Sequence, residues 1–131
     1  MRSIGDFVGL PFRTRGRDLA GVDCWGLVVL VYRHCLNIEL PSYDDHYLSL
    51  SRAEREHRAS IINGEKTRWL PVSEPLTMSV ALFSQGGLPT HIGVVVDKRS
   101  MLHVHEGIDS VVEDFTTPKW HQRHMGFYIY A

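Results

Sequence analysis

Apolar positions cluster rather than spread along this chain. Cys24-Trp25-Gly26-Leu27-Val28-Val29-Leu30-Val31-Tyr32 is almost wholly apolar and runs on through Arg33-His34-Cys35-Leu36. Asp23 stands in front of it, and Asn37 and Pro41 stand behind. The pattern predicts a buried helix capped by the Asp23 side chain. The β-branched Val28, Val29 and Val31 suit a strand as well, so apolarity alone does not fix the type. Upstream, Ser3 to Leu10 predicts a short helical turn stopped by Pro11, and Phe12 to Val22, rich in Gly and Arg, predicts a loop. Ser51-Arg52-Ala53-Glu54 is a capping-box pattern and predicts a polar helix to about Ile62, ended by Asn63-Gly64.

The texture changes after Pro71 and Pro75. Met78 to Ser84, His91 to Asp97, Met101 to His105 and Ser110 to Val112 read as short strands. Gly86-Gly87 separates the first pair, and Lys98-Arg99-Ser100 makes a tight turn between the second. Thr117 to Trp120 reads as a turn or short helix, and Gly126 to Tyr130 as a last strand. Helices come first and strands second, which predicts an α+β fold with helices packed on an antiparallel sheet. No linker or repeat divides residues 1–131, so a single domain is expected.

Charge excludes one class of function. The 14 Lys and Arg balance 15 Asp and Glu, leaving a formal net charge of −1. That balance removes the electrostatic case for a dedicated nucleic-acid binder, although Arg13, Arg15 and Arg17 form a small basic cluster. No apolar run approaches the roughly 18 residues that span a bilayer. The start, Met1 to Asp6, has no apolar signal-peptide core, so synthesis and folding in a cytosol are expected. On one helix, Cys24 and Cys35 would stand roughly 16 Å apart at 1.5 Å per residue. A disulfide needs Cα atoms within about 7 Å, so no bond between them is expected.

Cys24 is the most suggestive residue. Behind an Asp23 cap it lies in the first helical turn, where unpaired N–H groups and the positive end of the dipole favour a thiolate. A small buried hydrophobe is the plain alternative, and local context does not separate the two. A nucleophilic cysteine needs a base, usually histidine, and a group to orient it. His91 opens one apolar strand and His103 sits in the next. A hairpin about Lys98-Arg99-Ser100 pairs residues whose numbers sum to about 197 or 198, which leaves His91 a few positions beyond the partner of His103. A bulge or strand twist then brings the two rings together.

Taken together, Gly21-Val22-Asp23-Cys24-Trp25-Gly26-Leu27-Val28, His91-Ile92-Gly93-Val94-Val95-Val96 and His103 twelve residues on resemble the NlpC/P60 cysteine peptidases. Leu40-Pro41-Ser42-Tyr43, Leu102-His103-Val104-His105-Glu106-Gly107 and the closing Trp120 with Gly126-Phe127-Tyr128 look like the phage-tail branch of that family. The resemblance runs from about Ile4 to Tyr130. It implies a papain-like α+β fold and hydrolysis of peptidoglycan stem peptides, typically after γ-D-glutamate, through a thioester. By position, Cys24 is then the nucleophile, His91 the base and later the acid, and His103 the group that orients His91. The Cys24 backbone N–H is a candidate oxyanion donor. Asp23, Trp25, Phe12 and His105 are candidates for the oxyanion and substrate groove. No metal or cofactor is implied. The implied setting is the virion, assembled in a bacterial host cytoplasm, with peptidoglycan as substrate and tail-tip or tail-hub proteins as partners.

The chain departs from the family pattern in three places. Phe12 stands where the family often has a tyrosine, twelve residues before the cysteine; Arg13-Thr14-Arg15-Gly16 follows where Gly-Gly is common; and Met78-Ser79 replaces a Gly-Asp. These departures favour a second reading, a structural tail component with a weak or vestigial site. An amidase or acyltransferase on the same fold is a third. His103-Val104-His105 also has zinc-site spacing, but the position for an aspartate ligand eleven residues after His105 is Thr116, with Asp114 two short. Cys35 reads as a core thiol, Trp69 and Trp120 as packing residues, His34 and His46 as surface or capping residues, and His121 and His124 as solvated or interface residues.

Overall fold

A computed structural model describes residues 3–40, 69–85 and 88–130. The capping-box helix, Pro41-Ser42-Tyr43 and His46 lie outside the described residues. In chain order come a 3-10 turn, Ile4–Phe7; a two-residue hairpin of β1 (Arg17–Asp18) and β2 (Gly21–Val22); helix α1, Cys24–Val31; and a π-type turn, Tyr32–Leu36. Strands β3 (Trp69–Val72), β4 (Val80–Gln85), β5 (Leu88–Val95), β6 (Ser100–His105) and β7 (Ile108–Asp114) follow, then the short helix α2 (Pro118–His121) and β8 (His124–Tyr130).

The six longer strands form one antiparallel sheet in the order β3-β8-β4-β5-β6-β7. The α+β expectation, helix on antiparallel sheet, is what forms. The expected loop from Phe12 to Val22 carries the small β1–β2 hairpin, and β3 was not anticipated because Pro71 interrupts it. The reason Pro71 is tolerated is position: β3 is an outermost strand, where a missing N–H interrupts no inner ladder.

Every residue of α1 is buried, which is why an apolar run with three valines is a helix here. Burial on all sides outweighs the small propensity penalty of β-branched residues. Asp23 begins it by accepting from the Gly26 N–H at 2.7 Å, and Asn37 ends the π-type turn in the left-handed region, φ 56°. The helix packs against β5 and β6. Val80, Leu82, Ile92, Val94, Leu102 and Val104 join it in one core. The alternate residues of the same strands, Ala81, Phe83, Val95 and Met101, form a second core with Phe115 and Trp120 on the other side. Period-two alternation therefore divides the sheet into a helix side and an α2 side.

The first turn of the chain is tied to the sheet. The Ser110 hydroxyl donates to the Phe7 carbonyl and accepts from the Leu10 N–H, while Gly9 and Leu10 exchange backbone hydrogen bonds with Ser110. This segment covers part of the outermost strand β7, one way of blunting an open sheet edge. Among the described residues no helix is long and apolar enough to cross a membrane.

Candidate active site

Asp23 organises the approach to Cys24. Its carboxylate is 1% exposed and takes three partners: the Gly26 N–H, the Arg17 Nη1 at 2.8 Å and the Arg15 N–H at 3.1 Å. The Gly16–Asp23 stretch is thereby folded back against the helix start. Gly26 makes this possible, since a Cβ there would lie 2.0 Å from the Gly16 carbonyl oxygen. Phe12 is half-buried, bridges to Val22 and packs on the helix-side core, so the family's tyrosine position stands beside the strand that leads into Cys24. Trp25, 1% exposed, is a core residue. Neither Cys24 nor Cys35 is in a disulfide, as expected. Cys35 is half-buried, and burial followed by the charge of Asp6 pushes its thiol pKa up.

The rings of His91 and His103 both lie against Trp120 of α2. The observed register pairs Val94 with Leu102 and Val95 with Met101, a residue or two tighter than the hairpin arithmetic expected. A one-residue change of register would turn His103 to the other face. In the register observed His103 shares a face with His91, and Nε2 of His91 lies 2.9 Å from Nδ1 of His103. The β5–β6 ladder stops at the Val94–Leu102 pair, and the β4–β5 register shifts beside His91, where one step on β4 from Phe83 to Ser84 spans two on β5. His91 thus sits where pairing on both flanks has loosened. Gly93 leaves room beside His103, whose Cβ would be 3.4 Å from a Cβ at position 93.

The hydrogen-bond chain continues past the anticipated residues. His103 Nε2 lies 2.8 Å from Glu113 Oε1, and the Trp120 indole N–H donates to Glu113 Oε2 at 2.9 Å. Trp120 also stacks on His91, ring centroids 5.3 Å apart. Glu113 escaped the sequence reading. The available signal was an acid on β7 two residues along from Val111, the residue facing His103 in the β6–β7 hairpin, and Asp109 and Asp114 on the same strand masked it. Trp120 is more than the packing residue expected.

Electrostatics follow from these contacts. His103 is fully buried, and desolvation lowers its pKa despite the nearby Glu113 carboxylate. Burial raises the Glu113 pKa, but hydrogen bonds from Trp120 and His103 outweigh it and hold the carboxyl below its ordinary value. Glu113 is therefore the acceptor, and His103 carries its proton on Nε2. Neutral His103 then offers a bare Nδ1, so His91 donates from Nε2, and the lone pair of neutral His91 falls on Nδ1. His105 lies near both rings, at 6.2 Å and 5.7 Å between centroids, and meets the Glu106 carbonyl through Nδ1. Both ring nitrogens of His103 are in hydrogen bonds, so it does not pair with His105 as a metal ligand. Among the described residues no group of three ligating side chains could hold a metal. His121 is exposed, as expected, but His124 is half-buried between Phe83 and Phe127, because β8 carries it inward.

A helix whose first residue is a buried cysteine, laid on strands that carry a histidine pair, defines a class of papain-like folds. Residues 9–129 match the family profile described as NlpC/P60. The chain belongs to the NlpC/P60 family. It is 22% identical over 124 residues to the murein DD-endopeptidase/murein LD-carboxypeptidase MepS of Escherichia coli K12. The match covers 95% of this chain and 57% of that protein, so the chain spans little more than half the length of such relatives. Among solved structures, an NlpC/P60 family protein of Bacillus cereus ATCC 10987 superposes with a TM-score of 0.69 at 18% identity, covering 97% of this chain and 37% of that one. The NlpC/P60 domain of the peptidoglycan hydrolase SagA superposes with a TM-score of 0.62 at 15% identity, covering 98% and 92%. The fold is that of the family.

Proposed function

We propose that this chain is a cysteine peptidase that cleaves peptidoglycan stem peptides, with Cys24 as nucleophile, His91 as base and acid, and His103 as the orienting group. The observation that carries the reading is the 2.9 Å contact between His91 Nε2 and His103 Nδ1, on strands against which the Cys24 helix packs. The names of MepS and SagA support the substrate class.

The Cys24 proton passes to Nδ1 of His91, and the thiolate attacks the peptide carbonyl carbon. The Cys24 backbone N–H, at the start of α1, stabilises the oxyanion. The imidazolium of His91, steadied through Nε2–H by neutral His103, gives its proton to the leaving amine. Water, deprotonated by His91, then attacks the thioester and frees the carboxylic acid and the thiol. These steps use a thiol, imidazoles and water.

The bond expected from the family resemblance is the one between γ-D-glutamate and the diamino acid. The same resemblance supports a place in a phage tail, beside tail-tip or hub proteins, where a small hydrolase would open the cell wall during infection. Phe12 favours the alternative of a tail component with a weak site, because it brings no hydroxyl to the approach to Cys24. Incubating purified peptidoglycan with the protein and with Cys24→Ala, then weighing the soluble products by mass spectrometry, tests both. New N-terminal diamino-acid fragments from the wild type alone are expected. Identical products from both proteins would leave the structural reading.

A further inference from the structure

We infer that Glu113 and Trp120 are positioning residues that set the tautomers of the histidine pair, an inference that rests on the peptidase reading above. Two N–H donors converge on Glu113: His103 Nε2–H on Oε1 at 2.8 Å and Trp120 Nε1–H on Oε2 at 2.9 Å. A carboxylate offers an acceptor oxygen to each. A carboxamide offers only one, and its NH2 must face the other donor. The side chain at 113 therefore decides which nitrogen of His103 carries the proton, and through the 2.9 Å contact which nitrogen of His91 remains basic.

The indole cannot change its role, because it is a donor only. With Glu113→Gln, the amide oxygen goes to Trp120 and the NH2 turns toward His103. His103 Nε2 then becomes an acceptor, its proton moves to Nδ1, and it no longer accepts from His91. His91 loses the arrangement that left Nδ1 basic. The charged and titratable groups that act on His103 are Glu113 on β7, His105 on β6 and Lys119 on α2. Lys119 and Arg123 both lie over the Trp120 ring, at 5.1 Å and 4.9 Å, and the Lys119 charge also helps to hold the Glu113 carboxyl low.

The test joins imidazole 15N NMR with kinetics on a purified muropeptide. In the wild type the spectra should show neutral His103 and His91 both protonated on Nε2. Glu113→Gln should move the His103 proton to Nδ1 and lower kcat about a hundredfold or more, the usual range for losing general-base function, with KM nearly unchanged. Adding Trp120→Phe to Glu113→Gln removes the competing donor, keeps a ring against His91, and should restore most of kcat and the Nε2–H tautomer. A wild type with His103 protonated on Nδ1, or a Glu113→Gln protein with wild-type kcat and pH profile, would overturn the inference. A double variant no better than Glu113→Gln would also overturn it. The NMR reads the tautomers without turnover. A wild type that shows them but cleaves nothing contradicts the peptidase reading, not the relay.

Discussion

Asp23 concentrates several tasks in one carboxylate: it caps α1, pairs with Arg17, and holds the Arg15 backbone. Losing a cap costs about 1 kcal/mol, while stripping one partner from a mostly buried ion pair costs about 3 kcal/mol or more. Arg17 is 12% exposed and Asp23 1%, so the ion pair belongs to the second case. Urea unfolding should therefore find Asp23→Ala destabilised by about 4 kcal/mol, and Asp23→Asn, which keeps a capping oxygen but loses the charge, by about 3 kcal/mol. Equal losses would assign the whole effect to the ion pair. The Ser110 hydroxyl, 2% exposed and bonded to both Phe7 and Leu10, should cost about 1–3 kcal/mol when replaced by alanine. An unchanged midpoint for Ser110→Ala would mean that the first turn is not anchored there.

Helix and strand boundaries depend on neighbours as well as on local residues. The start of α1 was legible because Asp23 and the apolar run after it act within one turn. The end of the helical run, where the π-type turn after α1 stops, was legible because Asn37 accepts the left-handed backbone. Strand β3 was not legible, since Pro71 signals a break and only β8 beside it supplies the ladder. The histidine pair was legible in outline from spacing, but the facing of His103 depends on a register set by the Lys98-Arg99-Ser100 turn and finer than residue counting resolves. Glu113 was hidden for the same reason: its partner is chosen by the β6–β7 pairing. Close packing is sharpest at Gly93, where an added Cβ would approach Met101 Sδ to 2.8 Å and His103 Cβ to 3.4 Å. The sulfur can move and the ring must keep its hydrogen bonds. Gly93→Ala should therefore lower kcat more than it lowers the unfolding midpoint, and the reverse order would show that Gly93 serves packing alone.

The described residues form a sheet with two cores, and their buried histidines make the fold sensitive to acid. Desolvation holds His103 below the ordinary histidine value of 6.5, and it does the same for His124, where the Gly126 backbone opposes and His121 assists. In both cases the unfolded chain binds a proton that the native chain resists, so stability rises with pH. Their contribution is present above 6.5 and is lost as pH falls below it toward the depressed native values. Glu113, also held low, extends the loss below 4.5. Thermal midpoints should fall from pH 7.5 to pH 5, and His124→Phe should flatten part of that slope. A midpoint independent of pH across this range would show that these rings are protonated as readily in the native state as outside it.

The central claim is that a thiol from the first half of the chain is activated by an imidazole from the second. Its most direct test is the rate of Cys24 alkylation by iodoacetamide against pH, in a Cys35→Ser background that leaves one thiol. A profile with its midpoint well below the ordinary thiol value of about 8.5, moving upward in His91→Ala, is expected. A midpoint near that ordinary value, unaltered by His91→Ala, would contradict it.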